Sequence, residues 1–143
     1  MATRIATAEW KGGLKGGDGS FDGASGEIGG RYSFGSRFTE AGGTNPEELV
    51  AAAHAACFSM QFAAMLEGAG HTPDSVRTEA QVQILEDDIG FAVKKITLIA
   101  VGRVPGIDDA TFQDIGRQAK EICPISRALA AVDTIVLDAT LEA

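Results

Sequence analysis

The feature that most constrains the fold is a long apolar stretch near the middle of the chain. Residues 49–66 carry no formal charge when His54 is neutral, and alanine is the commonest residue among them. Thr44 or Asn45 can cap a helix just before this stretch, Pro46 suits a first helical turn, and glycines follow it. These signals predict a helix over residues 46–67.

An uncharged helix of this length could also cross a bilayer. Polar side chains interrupt it, however, and acidic residues flank it instead of a basic anchor. We therefore expect the core helix of a soluble protein, with no membrane partner.

The remaining sequence predicts strands and shorter helices around the long helix. Glycine pairs within residues 3–38 are typical of hairpins and predict a meander of about three strands there. Apolar periodicity then predicts strands over 76–85 and 91–104, a helix from Asp108 or Asp109 to Cys123, a short helix over 124–131 and a last strand over 132–141. The apolar side of the helix before Cys123 is expected to consist of Phe112, Ile115, Ala119 and Ile122.

These elements predict an α+β fold in a single domain spanning residues 1–143. The long helix must lie against a sheet, but one sheet cannot cover a helix that is apolar all round. A second copy of the chain is the simplest remaining cover. We therefore expect an obligate homodimer.

Charge argues against several classes of partner. The formal net charge is −8, and the 12 lysines and arginines are scattered rather than clustered. Nucleic acids and anionic membrane surfaces both select a basic patch, so neither is an expected partner. The N-terminal segment lacks the apolar core of a signal peptide, which predicts a cytoplasmic protein.

Cys57 and Cys123, the two cysteines, are the first candidates for chemistry. In a reducing cytosol such thiols are more often buried or redox-active than permanently bridged. Cys123 precedes Pro124 and is expected at a helix start, where free amides lower the pKa of a thiol. Cys57 stands in mid-helix among apolar neighbours that raise the pKa of a thiol, so its activation needs a cation from elsewhere. The alternative interpretation of either residue is a buried structural cysteine.

His54 lies three residues before Cys57 and would share its helix face. It could supply the missing cation, as could an arginine from the strand region. Alternatively, His54 and Cys57 could act as base and nucleophile in a hydrolase. A histidine on a buried helix is more commonly a hydrogen-bonded core residue, and no oxyanion-binding loop is recognisable. A metal site has less support, because His54 and Cys57 are the only local pair of soft ligands.

Two segments resemble a known protein family. The segment from Gly43 to Met60, centred on His54-Ala-Ala-Cys57, and the segment Cys123-Pro-Ile-Ser126 closely resemble osmotically inducible protein C and the organic hydroperoxide resistance proteins. The resemblance extends over nearly the whole chain, including Trp10 and residues 34–38 and 104–112, and its details favour the osmotically inducible branch.

The resemblance implies antiparallel sheets wrapped around long central helices in an intertwined homodimer. It implies a peroxidase that reduces organic hydroperoxides, and also hydrogen peroxide, without metal, flavin or other bound cofactor. Cys57 would be the peroxidatic thiol, which becomes a sulfenic acid, and Cys123 the resolving thiol, which forms a disulfide with it. Arg37 and Glu47 match the family's paired charges and would activate Cys57. An external thiol or dithiol, for instance on a lipoylated protein, would complete the cycle.

One geometric requirement accompanies these roles. Glu47 precedes Cys57 by ten residues, which places the two about 15 Å apart along one continuous helix. Contact needs either a break in the helix or the donation of Arg37 and Glu47 by a second subunit. The second route agrees with the family's dimer, in which the active sites lie at the interface.

The alternative function is a non-catalytic thiol redox sensor or a small-molecule-binding protein of the same fold. A passive binder needs no resolving thiol, so the presence of Cys57 and Cys123 together with Arg37 and Glu47 favours the peroxidase.

Overall fold

The computed structural model describes residues 1–142, which divide into two compact units, Met1–Leu49 and a second unit that begins at Val50. Each unit contains one three-stranded sheet. The elements are β1 (Ala6–Lys11), β2 (Asp18–Gly23), β3 (Gly29–Ser33), α1 (Phe34–Phe38), α2 (Pro46–Gly68), β4 (Ser75–Glu86), β5 (Phe91–Arg103), α3 (Asp109–Ile122), α4 (Pro124–Ala128) and β6 (Thr134–Glu142). The expectation of one domain over the whole chain stays a prediction.

The first unit confirms the predicted meander, because β1, β2 and β3 pair antiparallel in chain order. Residues 34–38, which were expected to be extended, form the short helix α1 instead. The reason is a capping box. The Ser33 side chain accepts a hydrogen bond from the Ser36 amide at 3.0 Å, and Ser36 Oγ accepts one from the Ser33 amide at 2.9 Å.

The long helix α2 begins as its sequence predicts. Asn45 Oδ1 accepts a hydrogen bond from the Glu48 amide at 2.8 Å, which satisfies one of the free amides of the first turn. The helix continues unbroken to Gly68, and Gly70 follows it with a φ of 89°. The predicted end, one residue earlier, is therefore confirmed to within a single residue.

One stripe of α2 enters the core, and much of the rest of the helix stays uncovered by the chain. The buried side chains recur every four residues at His54, Phe58, Phe62 and Leu66. Only 22% of the most apolar window of α2 is buried, and Met60 is 72% exposed. By length and composition alone, α2 is also long and apolar enough to cross a membrane.

The sheet of the second unit has the order β4-β5-β6. β4 and β5 form the predicted antiparallel hairpin, with an irregularity between Gln83 and Ile84. β6 pairs parallel to β5, which differs from the all-antiparallel expectation. The difference arises because α3 and α4 lie between β5 and β6, and a connection of that length returns the chain to the same end of the sheet.

The core of the second unit combines the buried stripe of α2 with β5 and α3. Ile96, Leu98 and Ala100 point inward from β5, while the rings of Phe62 on α2 and Phe112 on α3 are 4.9 Å apart. The long helix therefore packs against a sheet as predicted. Ser59 Oγ also donates a hydrogen bond to Thr78 Oγ1 of β4 at 2.7 Å.

The buried side of α3 matches its prediction except at the last position. Phe112, Ile115 and Ala119 are buried, but Ile122 is 48% exposed. The buried stripe continues instead through Cys123, four residues after Ala119, which is fully buried. The next helix, α4, ends at Ala128, three residues before the predicted end.

Candidate active site

Cys57 and Cys123 are free thiols that lie side by side in the second unit. Cys57 is half-buried on α2 and packs against the core, whereas Cys123 is fully buried between α3 and α4. Their side chains interact while both sulfurs are reduced. The fold thus brings together the two predicted thiols, one partly open to solvent and one shielded.

The pKa of Cys57 lies above its ordinary value of 9.0. Burial is the largest cause, because it disfavours the charged thiolate. The backbone N–H of Ile125 acts in the opposite direction through a hydrogen bond to the Cys57 sulfur, and the adjacent Cys123 thiol raises the pKa again. The direction expected for a mid-helix thiol among apolar neighbours is confirmed, so within one chain Cys57 is protonated at neutral pH.

The start of α4 contacts a different sulfur from the one predicted. Cys123 precedes α4 as expected, but its side chain accepts no capping hydrogen bond. The thiol is instead packed into the core beneath α3. It is Cys57, on another helix, that receives the hydrogen bond from the Ile125 amide.

Arg37 and Glu47 form a two-pronged ion pair in the first unit. Arg37 Nη2 donates to Glu47 Oε1 at 2.7 Å, and Arg37 Nε donates to Oε1 and Oε2 at 3.2 and 3.1 Å. The Glu47 side chain is 12% exposed and that of Arg37 is 36% exposed. The predicted contact between these two side chains is therefore present, with the planar guanidinium held in a fixed orientation.

Hydrogen bonds between α1 and the start of α2 set this geometry. Ser36 Oγ donates to the Thr44 carbonyl at 2.7 Å, and Asn45 Nδ2 donates to the Ser36 carbonyl at 3.1 Å. Asn45 thus caps α2 with its oxygen and holds α1 with its nitrogen. The result places Arg37, the next residue after Ser36, against Glu47 in the first turn of α2.

Of the two routes that would bring Glu47 to Cys57, a helix break is not the one the chain adopts. α2 is continuous from Pro46 to Gly68 and carries both residues. Donation by a second subunit is the remaining route.

His54 is fully buried, and its Nε2 lies 2.7 Å from Ser126 Oγ on α4. Its Nδ1 is buried with no hydrogen-bond partner among the described residues 1–142. Burial lowers the pKa of His54 below its ordinary value of 6.5. His54 is therefore neutral at pH 7, which rules it out as the cation for Cys57, and its polar contact is with Ser126 rather than with the thiol.

Ser126 and the Ile125 amide are the groups that sequence reasoning missed. Both belong to the Cys123-Pro-Ile-Ser126 segment, in which only Cys123 was assigned a role from the sequence. A usable signal existed, since a histidine in an apolar helix requires a polar partner elsewhere in the chain. In the part of the chain that the structure covers, residues 1–142, no three His, Cys, Asp or Glu residues come together as a metal site.

A family model now decides the relationship suggested by these residues. The model described as OsmC-like protein matches residues 39–137, a span that includes Glu47, Cys57 and Cys123. The chain belongs to the OsmC-like family. The resemblance drawn from the two cysteine segments is thereby confirmed.

Curated relatives place this OsmC-like protein among peroxide-reducing proteins. It is 47% identical to peroxiredoxin OsmC of Escherichia coli over 129 residues, which cover 90% of each chain. It is 37% identical to the organic hydroperoxide resistance protein of Xanthomonas axonopodis pv. citri over 87 residues, covering 60% of this chain and 59% of that one.

Solved structures confirm the α+β, OsmC-like fold. An organic hydroperoxide resistance protein from Elizabethkingia anophelis superposes with a TM-score of 0.75 at 24% identity, covering 99% of this chain and 96% of that one. An OsmC-like protein from Mycoplasma pneumoniae gives a TM-score of 0.77 at 16% identity, with 99% of both chains covered.

Proposed function

We propose that this OsmC-like protein reduces organic hydroperoxides, and also hydrogen peroxide, through Cys57 and Cys123. The protein is a thiol-dependent peroxidase, as its similarity to peroxiredoxin OsmC and to the organic hydroperoxide resistance proteins indicates. The observation that supports the two-thiol mechanism is the contact between the half-buried Cys57 thiol and the buried Cys123 thiol. A second thiol beside the first is what disulfide formation after oxidation requires.

The proposed reaction has three steps, which are attack on the peroxide, disulfide formation and reduction. The Cys57 thiolate attacks one oxygen of the peroxide, the O–O bond breaks, and the leaving alkoxide takes a proton to become an alcohol. Cys57 is then a sulfenic acid, whose sulfur is attacked by Cys123 with release of water and formation of a disulfide. An external dithiol supplies two electrons and two protons, which return both cysteines to thiols.

Cys57 needs a cation for the first step, because burial alone holds it in the unreactive protonated form. We assign that role to Arg37, oriented by Glu47. Because α2 separates Glu47 from Cys57 along one unbroken helix, the pair that serves each thiol comes from the partner subunit. The exposed apolar surface of α2 supports such a dimer, since one chain buries only 22% of its most apolar window.

We further propose that the cycle uses no metal, flavin or other bound cofactor and that the reductant is an external thiol or dithiol. A lipoylated protein is one candidate for that reductant. We infer a soluble protein acting in the cytoplasm, where dithiol reductants are available and where the net charge of −8 suits a protein that binds neither nucleic acid nor a membrane surface.

The test is consumption of cumene hydroperoxide and of hydrogen peroxide with dithiothreitol as reductant. We expect steady turnover by the wild type and none by Cys57→Ser, because the attacking sulfur is gone. In Cys123→Ser, a single equivalent of peroxide should leave Cys57 as a sulfenic acid that dimedone traps, and mass spectrometry of the labelled peptide reports it. The trapped adduct assigns the order in which the thiols react.

Two results would favour the alternative functions over the peroxidase. Oxidation of Cys57 once per chain, without reductant-dependent turnover, would support the redox sensor instead. Wild-type protein that leaves both peroxides unconsumed while its thiols stay reduced would eliminate the peroxidase and favour small-molecule binding.

A further inference from the structure

The buried hydrogen bond between His54 and Ser126 joins the two parts of the chain that carry the reacting sulfurs. His54 lies one turn before Cys57 on α2, and Ser126 lies three residues after Cys123 on α4. Their side chains meet at 2.7 Å although they are 72 residues apart in sequence. This contact therefore links the helix that carries one thiol to the helix that follows the other.

The same bond lies beside a main-chain group that acts on the Cys57 sulfur. Ile125, whose N–H forms a hydrogen bond to that sulfur, directly precedes Ser126 in α4. A shift of α4 along α2 would move the Ile125 amide away from Cys57. It would also displace Cys123, which directly precedes α4.

Burying the polar side chains of His54 and Ser126 in the core costs free energy of folding, which suggests that their hydrogen bond has a role of its own. His54 is fully buried, and its Nδ1 has no hydrogen-bond partner among residues 1–142, so the described part of the core holds an unsatisfied polar atom. An apolar side chain of similar size would avoid that cost, but it would allow α4 to slide. A buried hydrogen bond permits one relative position of the two helices.

We propose that His54 and Ser126 are positioning residues, which hold α4 against α2 so that the Ile125 amide meets the Cys57 sulfur and Cys123 stays within reach of it. The inference rests on the proposed roles of Cys57 and Cys123. Neither His54 nor Ser126 touches the peroxide. The hydrogen bond keeps the sulfenic acid of Cys57 short-lived, because a resolving thiol that is already adjacent limits further oxidation to the sulfinic acid.

Ser126→Ala tests this role, with Ser59→Ala as its matched control. Both variants remove one serine hydroxyl, and each removes a 2.7 Å side-chain hydrogen bond that links α2 to another element. Ser59 bonds to Thr78 on β4 and not to α4. A general loss of stability should therefore be common to both variants, whereas a loss of positioning should belong to Ser126→Ala alone.

The first readout needs no peroxide. Iodoacetamide alkylation of Cys57 is followed across pH by peptide mass spectrometry, and the midpoint of the profile is independent of how easily the reagent reaches the sulfur. In Ser126→Ala we expect the midpoint to rise by about half a unit to one unit, because the thiolate loses a hydrogen-bond donor. Ser59→Ala and the conservative Ser126→Thr should keep the wild-type midpoint.

The second readout is the rate of Cys57–Cys123 disulfide formation after one equivalent of cumene hydroperoxide. Because the sulfurs are no longer held together, we expect Ser126→Ala to slow this step about tenfold. When a second equivalent of peroxide is supplied, the longer-lived sulfenic acid of this variant should be oxidised to Cys57 sulfinic acid. His54→Leu, which keeps the bulk but removes the polar atoms, should give the same two changes. Ser59→Ala should do neither.

The positioning role is overturned if Ser126→Ala and Ser59→Ala share the wild-type alkylation midpoint and disulfide rate while both melt at lower temperature. That outcome differs from a failure of the peroxidase itself. A wild type that consumes no peroxide would contradict the proposed function, whereas the alkylation profile would still show whether the Ser126 hydroxyl sets the state of Cys57.

Discussion

Cys57 and His54 lie one turn apart on α2, and burial acts on both in the direction that removes charge. It raises the pKa of the Cys57 thiol and lowers the pKa of the His54 imidazole. The result is a neutral pair within a single chain, which explains why His54 cannot activate its neighbour. The cation that the chemistry needs must come from a side chain that is already charged, and Arg37 meets that condition.

The lowered pKa of His54 predicts how stability depends on pH. In the unfolded chain His54 takes up a proton near pH 6.5, whereas in the folded chain it does so only at lower pH. Below pH 6.5 the unfolded state therefore binds more protons, and the free energy of unfolding decreases as the pH falls from 6.5 toward the folded pKa. We expect urea titrations of His54→Gln to show a shallower decrease over that interval than the wild type.

His71→Gln, which removes the other histidine, is the control. Asp87 and Asp108, whose pKa values are lowered below 3.8 by hydrogen bonds with Lys94 and Thr111, lose their stabilising charge only at pH values below this interval. If His54→Gln and the wild type lose stability in parallel between pH 6.5 and 5, His54 does not remain neutral in the folded protein.

The residue scale is also where sequence reasoning was least complete. Cys57 and Cys123 are identifiable from their neighbours, and the helix end at Cys123 follows from Pro124. Which sulfur receives the Ile125 amide depends on how α4 packs on α2, a contact between residues far apart in the chain. Ser126 escaped notice for the same reason, since nothing near it in sequence indicates His54 as its partner.

At the scale of elements, the start of α2 links helix capping to the charged pair. Asn45 Oδ1 caps α2, and its Nδ2 holds the carbonyl of Ser36 in α1. We predict that Asn45→Ala lowers the free energy of unfolding by about 1 kcal/mol and also lowers kcat/KM, because Arg37 loses its fixed place beside Glu47.

Asp108→Ala separates the two effects. Asp108 caps α3 by accepting a hydrogen bond from the Thr111 amide at 2.9 Å, so its loss should cost a similar amount of stability. Its cap lies at the start of another helix, and kcat/KM should stay at the wild-type value. Equal kinetic losses in the two variants would mean that the Asn45 effect reflects stability alone.

Element types were largely predictable, and the differences have local causes. The long helix, the N-terminal meander, the β4–β5 hairpin and the helix before Cys123 follow from periodicity, turn and capping signals. The helix over residues 34–38 was missed because its stability comes from the paired Ser33 and Ser36 side chains within a glycine-rich segment. The parallel pairing of β6 was missed because strand direction depends on the path of α3 and α4 rather than on the strand's own residues.

At the scale of the whole molecule, the long apolar helix that constrained the fold also constrains the assembly. One chain covers a single stripe of α2, and Met60 remains 72% exposed. Apolar surface of this extent is rarely left in contact with water. A second chain would cover it and would carry Arg37 and Glu47 to the thiol of its partner.

The most direct test of an active site built from two chains is complementation between inactive variants. Arg37→Ala and Cys57→Ser are co-expressed with different affinity tags, and the mixed dimer is purified through both. If Arg37 acts on the partner's thiol, the mixed dimer contains one complete site and should show about half the wild-type activity per dimer, although each parent is inactive. A mixed dimer as inactive as its parents would show that Arg37 serves the thiol of its own chain or none, and would contradict the shared site.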